Sequence, residues 1–178
     1  VFSQCQSAEG AGFTARYWNN KDYEGEPVAT AQLTTPFRLC TSGATVFAPG
    51  VNLTDFSAIY QSVFTPAESG NVVFEFYSCG GTQLLVNGEE VKKFTNKHGS
   101  RGTSYGMYVE ANKPYKIEIK FQYFSGDAQL NFDLGFKRDA DIKSSVAKVK
   151  DADVVIFVGG ISPSLEGEEM GVDLEGFK

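Results

Sequence analysis

Apolar and polar residues alternate with a period of two along most of the chain, from Phe13 to about Lys137. The segments 56–64 and 115–121 show the pattern most clearly, with aromatic or aliphatic residues at every second position except Ser62. Such alternation is typical of strands that bury one face. Turns containing glycine, proline and asparagine separate these alternating segments. None of the segments has the period of an α-helix. We therefore predict a mainly β fold, an antiparallel β-sandwich or barrel-like domain.

The dipeptide Asn87-Gly88 is the strongest turn signal in this region. It stands between the apolar runs of "TQLLV" and "EEVKKF". A two-residue hairpin turn needs positive φ at both central positions, which asparagine and glycine adopt readily. We predict a hairpin here, and a polar loop in the following stretch "FTNKHGSRGTSYG".

The pattern changes near residue 139. Ile142, Val146 and Val149 have helical spacing and follow Asp139 or Asp141, either of which could cap the helix. Five consecutive apolar residues, 154–158, come next. A run that is apolar on both faces is typical of a parallel strand covered by helices. One helix–strand unit cannot form a sheet alone, so we predict a truncated α/β sandwich whose other strands lie outside this chain.

Charge and hydropathy exclude several classes of function. The net charge is −6 and the pI is about 4.8, whereas sequence-independent nucleic-acid binding needs a basic face. A neutral ligand fits this balance better than a polyanion. No apolar run approaches the roughly 18–20 residues that span a bilayer. We expect no nucleic-acid partner and no membrane partner.

The cysteines are Cys5, Cys40 and Cys79, and no two of them form a CxxC pair. This spacing argues against a structural zinc site. Three buried thiols, or one disulfide and one thiol, both remain open and leave the redox compartment undecided. The first ten residues lack the basic start and apolar stretch of a signal peptide. We nevertheless expect a secreted or periplasmic location.

The segment "FTPAESGNVVFEFYSCGGTQLLVNGEEV" resembles the core of the fourteen-kilodalton domain first named from anthrax protective antigen. The later "ANKPYKIEIKF" is similar to another segment of that family, and the resemblance covers residues 12–137. It implies a β-sandwich that binds or shields carbohydrate, often as an insert in a glycosidase or adhesin.

The tail "DADVVIFVGGISPSLEGEEM" resembles the α/β sandwich domain of family 3 glycoside hydrolases, the β-glucosidases and β-xylosidases. Those enzymes commonly carry the protective-antigen domain as an insert. On this interpretation residues 138–178 belong to the truncated α/β sandwich domain, and residues 1–11 are an edge of the same host domain. The remaining domains of the parent glycosidase would be the protein partners.

The acidic segment after the apolar run could carry chemistry. A retaining glycosidase uses a carboxylate nucleophile and a carboxylic acid that protonates the leaving oxygen. Glu166 and Glu168 lie two residues apart, where a loop would leave the carboxyl end of a strand and face a ligand. The alternative is a solvated acidic loop without chemistry.

The family 3 resemblance implies that Glu168 is the acid/base of the host enzyme and that Glu166 is its partner or a substrate contact. Glu169 stands where the family pattern has glycine. The aspartate nucleophile would lie on a catalytic barrel that this chain does not contain. We therefore expect no catalysis by the isolated chain.

We expect neither a cofactor nor a metal. Lectins of the protective-antigen family hold calcium through adjacent aspartates, but Cys79 and Gly80 occupy the corresponding positions and offer no oxygen ligand. His98 lies in the predicted polar loop, which could overhang a sugar site or be a mobile surface loop. Trp18 could stack on a sugar or pack in the core.

Three functions are compatible with these observations. The first is a carbohydrate-associated insert of a retaining β-glycosidase, which shapes access for an oligosaccharide or aryl β-glycoside substrate or binds sugar. The second is a stand-alone carbohydrate-binding or adhesive module, and the third is a structural spacer without a ligand. The α/β tail favours the first, because a stand-alone module has no use for it.

Overall fold

The computed structural model describes residues 1–138, 141–154 and 156 of the 178-residue chain. The chain divides into two compact units, Val1–Arg138 and Asp139–Lys178, and each is described by itself. In the described part of the chain, no helix is both long enough and apolar enough to cross a membrane.

The first unit is built almost entirely of antiparallel strands. Short 3-10 turns at Phe2–Gln4 and Ser42–Ala44 accompany them. The strands are β1 Cys5–Ser7, β2 Gly10–Ala11, β3 Phe13–Trp18, β4 Ala29–Leu33, β5 Phe37–Cys40, β6 Ser57–Phe64, β7 Gly70–Val86, β8 Glu89–Val109, β9 Tyr115–Gln122 and β10 Gln129–Phe136.

These strands form one continuous sheet that curls on itself. Its order is β2-β1-β6-β9-β7-β10-β5, while β3 lies between β4 and β6, and β8 runs along β7. The first part of β7 pairs with β10 and its last part pairs with β9, so β7 belongs to both sides of the curl. The change occurs at Gly80, which has φ of +143° and lies against the Phe121 ring. The predicted antiparallel, barrel-like β fold is confirmed.

One side of the curl carries the sites discussed below. It consists of β5, β10, the segment 70–79 of β7 and the segment 101–109 of β8. We call this side the β10 wall. Its inward positions are mostly buried apolar residues and its outward positions are mostly polar and exposed, as the period of two requires.

Aromatic rings fill the interior. Phe132 of β10 lies among the rings of Phe13, Phe37, Phe74 and Phe76, with centroid separations of 5.1–6.4 Å. A second group consists of Phe47, Phe56, Phe121 and Tyr123. Interlocking rings of this kind contribute both buried apolar area and edge-to-face contacts.

The hairpin prediction is confirmed. Asn87 and Gly88 both have positive φ, 53° and 85°, and connect β7 to β8. The polar loop predicted after it is wrong, because β8 continues as a strand through residues 94–105. The long strand β7 pairs with the segment of β8 before the irregularity at residues 97–100 and with the segment after it. These backbone hydrogen bonds keep the stretch extended although its sequence has few apolar residues.

In the second unit, helix α1 spans Ile142–Val149. Asp141 caps it, accepting a hydrogen bond from the Ser144 backbone N–H at 2.9 Å, so the helix and one of its two predicted caps are confirmed. The predicted strand 154–158 lies mostly outside the described residues. Val154 and Ile156 are described, and both are exposed without strand structure.

The buried tyrosines lead to a prediction about alkaline pH. Tyr17 and Tyr60 are fully buried with their rings edge to face. Burial raises the pKa of Tyr17 to about 12 and that of Tyr60 well above its usual value. Unfolded tyrosines ionise near pH ~10, so the unfolded chain releases protons first. The contribution of these two tyrosines to the free energy of unfolding should therefore be constant below pH ~10 and fall above it, by about 1.4 kcal/mol per pH unit per tyrosine.

Urea unfolding followed at pH 8 to 12 measures this dependence. The Tyr17→Phe variant is the matched control, since it removes one ionisable group while keeping the ring. Its stability should decline less steeply than that of the wild-type chain. Equal slopes for the two proteins would contradict the assignment.

Candidate functional site

The two acids predicted to be catalytic, Glu166 and Glu168, lie outside the described residues. The other residues singled out from the sequence can be placed. Trp18 is buried, 8% exposed, and its indole N–H donates to the Gly25 carbonyl at 2.8 Å. It is a core residue rather than a sugar-stacking platform.

Cys79 and His98, which have no apparent connection in the sequence, line the same depression. It lies at the end of the β10 wall and has a volume of about 520 Å³. We call it the hairpin depression. Cys40 of β5 and Asp127, just before β10, also contribute to its lining. Volumes of this size are typical of small-ligand sites.

A bulge in β8 forms one rim of the hairpin depression. Asn96 pairs with Gly80 of β7 and Arg101 pairs with Ser78, so four residues of β8, 97–100, stand opposite a single residue of β7. Gly99, with φ of +76°, supplies the left-handed conformation in this bulge. Bulges of this type re-aim side chains and are frequent next to functional sites.

The bulge is anchored to the rest of the domain. The Lys97 carbonyl accepts a hydrogen bond from Ser125 Oγ at 2.7 Å, and the Lys97 ammonium lies 5.3 Å from the centre of the Phe124 ring. Ser100 Oγ donates to the Gln129 side chain. These contacts argue against the free surface loop that the sequence left open as an alternative.

The hairpin depression does not fit calcium. Calcium needs six to eight oxygen ligands, and among the described residues that line the depression only Asp127 carries a carboxylate. Throughout residues 1–138, 141–154 and 156, no group of three or more histidine, cysteine, aspartate or glutamate side chains could hold a metal ion. The surface offers one ammonium group, one imidazole and one carboxylate, which suits polar recognition of a ligand.

The three cysteines are free thiols. Cys40 and Cys79 lie on either side of Gln129, opposite it on two different strands. Two strand spacings separate them by roughly 9–10 Å, too far for a disulfide. Burial raises the pKa of the Cys5 thiol to about 12, so this group stays protonated at neutral pH.

Sequence reasoning missed Cys40, Asp127 and Gln129 as neighbours of Cys79. They lie 39, 48 and 50 residues from Cys79 along the chain, and only the pairing of β10 with both β5 and β7 brings them together. No local sequence signal reports such a pairing, because strand register depends on the whole sheet.

Comparison with known families decides the classification. The sequence profile of the PA14 domain matches residues 10–150. The chain belongs to the PA14 domain family. This confirms the resemblance to the protective-antigen domain drawn from the motifs of residues 12–137.

This PA14 domain is also similar to a curated protein. It is 38% identical over 180 residues to a xylan 1,4-beta-xylosidase of Xylanibacter ruminicola, and the match covers 99% of the chain. The chain spans only 21% of the length of that xylosidase.

Solved structures share the fold. A β-glucosidase from Kluyveromyces marxianus superposes with a TM-score of 0.67 at 14% identity, over 83% of this chain and 20% of that one. A PA14 sugar-binding domain from an RTX adhesin superposes with a TM-score of 0.53 at 15% identity, over 72% of this chain and 91% of that one. At such low identity these likenesses describe the fold of the PA14 domain alone.

Proposed function

We propose that this PA14 domain is an insert of a retaining β-glycosidase of family 3, a β-xylosidase or β-glucosidase. There it shapes substrate access or binds sugar, outside the cytoplasm where polysaccharides are degraded. The observation that carries the proposal is the extent of the xylosidase match, which covers 99% of this chain. The similarity therefore continues past residue 150, where the PA14 match ends, into the acidic tail.

The helix of the second unit supports this proposal. Its large apolar residues Ile142, Val146 and Val149 are 70%, 59% and 41% exposed. An amphipathic helix gains most of its stability by burying such a stripe against another element. The remainder of an α/β sandwich domain, contributed by the same parent protein, would cover it.

The hairpin depression is the part of the PA14 domain that we assign to substrate access. Its rim is a strand bulge held by hydrogen bonds at Lys97 and Ser100. A polar rim of this kind could select among oligosaccharides without taking part in the hydrolysis. Binding segments commonly act in this way when a rigid scaffold holds them in position.

Within the parent enzyme, we propose that Glu168 protonates the leaving oxygen and that Glu166 is its partner or a substrate contact. A general acid contributes most when the leaving group is a poor one, because a good leaving group departs without protonation. The dependence of the rate on the leaving group is therefore a specific readout of this role.

The test compares the full-length parent protein with its Glu168→Gln and Glu166→Gln variants on aryl β-xylosides and β-glucosides. We expect Glu168→Gln to lower kcat/KM by about a hundredfold on poor leaving groups, and much less on good ones. Glu169→Gln is the matched control, since it removes a neighbouring acid and should leave the rate unchanged.

Near wild-type rates for all three variants would refute the assignment of the acid/base to this segment. A parent protein without activity on either glycoside series would refute the glycosidase proposal itself. In that case the binding-module hypothesis would take its place.

A further inference from the structure

A second depression, which we call the Tyr77 trough, lies on the outward face of the β10 wall. The strand register places Arg38, Asn131 and Tyr77 side by side in one row across β5, β10 and β7. In a neighbouring row Asp133 stands directly opposite Glu75. These residues line a volume of about 590 Å³, within the range of about 300–1,000 Å³ that is usual for ligand sites.

The floor of the trough is backed by the aromatic core. Between its polar rows, the inward positions of the same strands are Phe37, Phe132 and Phe76. All three are at most 3% exposed, and Phe37 and Phe76 both pack against Phe132. The backbone that positions the outward side chains is therefore held by the core, as a pre-organised site requires.

The polar groups of the trough are not satisfied by one another. Among the described residues, the side chains of Arg38, Glu75 and Asn131 have no hydrogen-bond or ion-pair partner, and Asp133 accepts only from the Leu134 N–H, at 2.7 Å. Glu75 and Asp133 face each other as like charges, which destabilises a strand pair. Groups that cost stability and lack internal partners are suited to an external ligand.

The Tyr77 ring is accessible because its neighbour is glycine. Tyr77 is 46% exposed and pairs with Gly102 of β8. A β-carbon at position 102 would lie 3.9 Å from Tyr77 Cδ2, yet the φ of Gly102 is outside the range that favours glycine. The backbone thus does not require glycine here. A glycine inside a strand weakens it and often marks the close approach of a ligand.

We infer that the Tyr77 trough binds a neutral pyranose chain. One face of a pyranose carries mainly C–H groups and can lie on an exposed aromatic ring. Its hydroxyls can donate to Glu75 and Asp133 and accept from Arg38 and Asn131. The inference deepens the proposed function, on which the choice of sugar as the ligand class rests, and it assigns sugar binding to a surface distinct from the hairpin depression.

Other occupants fit this chemistry less well. The core of a protein interface is depleted of charged residues, whereas the trough centres on two unpaired carboxylates. The same carboxylates would repel the phosphates of a nucleic acid. A metal cation would find too few ligands in the trough, because the described residues include no group of three or more histidine, cysteine, aspartate or glutamate side chains that could hold one.

The test measures binding of xylohexaose and cellohexaose to the 178-residue chain by isothermal titration calorimetry. Two variants alter the trough in opposite ways, since Tyr77→Ala removes the ring and Gly102→Val covers it. Each should weaken binding about tenfold or more. Glu75→Gln keeps the shape of the trough and should weaken binding to a smaller extent. Tyr108→Ala is the matched control, because Tyr108 is a 61% exposed tyrosine on the same face of β8, outside the trough.

Unchanged affinity in both Tyr77→Ala and Gly102→Val, with thermal unfolding like that of the wild type, would overturn the inference. The inference would also be overturned if the wild-type chain bound neither sugar, or if a chelator abolished sugar binding. Self-association that depends on Tyr77, measured by analytical ultracentrifugation, would overturn it as well. None of these outcomes bears on the leaving-group kinetics of Glu168→Gln, so the trough and the glycosidase proposal fail separately.

Discussion

Replacing Gly12 with alanine is expected to lower the free energy of unfolding by more than about 3 kcal/mol. Gly12 joins β2 to β3 with φ of +85°, and a β-carbon there would lie 2.0 Å from the Leu33 carbonyl oxygen. That oxygen belongs to the backbone of β4, which cannot move without disturbing its pairing with β3. The backbone of Gly12 is also held on both sides, by the Cys5 carbonyl at 2.8 Å and by Ser62 Oγ at 2.7 Å.

Chemical denaturation measures the loss, and Gly25→Ala is its matched control. Gly25 has a similar φ of +77°, but no atom lies within 4 Å of the position that a β-carbon would occupy. Its substitution therefore adds only the conformational cost of about 1–2 kcal/mol. The difference between the free energies of unfolding lost in Gly12→Ala and in Gly25→Ala therefore measures the cost of the clash with the Leu33 carbonyl. Equal losses in the free energy of unfolding for the two variants would contradict the close approach of Gly12 to β4.

Replacing Phe132 with alanine is expected to cost about 3–5 kcal/mol. The side chain is 1% exposed, and it is the one ring that contacts Phe13, Phe37, Phe74 and Phe76 together among the described aromatic pairs. Its removal leaves a cavity that the surrounding rings, each fixed in its own strand, cannot fill. Because a domain is stable by only about 5–15 kcal/mol, a large share of the molecules could unfold.

The same denaturation experiment includes two comparisons. Phe132→Leu keeps most of the buried volume and should cost less than the alanine variant. Tyr108→Ala removes an exposed ring and should change stability by no more than about 0.5 kcal/mol. An equal loss for Phe132→Ala and Tyr108→Ala would show that Phe132 is not at the centre of the core.

The candidate sites were predictable only in part. His98 was considered from the sequence as a residue of a loop near a sugar site, and Cys79 only as a position without an oxygen ligand; the structure places both on the hairpin depression. The Tyr77 trough had no such signal. Tyr77, Arg38 and Asn131 are ordinary outward residues in three separate strands, and their significance depends on being adjacent.

The local structure of this protein follows from short segments of its sequence. The period-two alternation indicates the strands, Asn87-Gly88 indicates the hairpin turn, and the pair Asp139 and Asp141 indicates where the helix begins to within two residues, because each signal depends on neighbours a few residues away. By contrast, the assembled sheet was needed to show that residues 94–105 form a strand and that Arg38, Tyr77 and Asn131 share one row. Both follow from the register of strands far apart in the chain, which is set by the burial of a whole sheet face and not by any single segment.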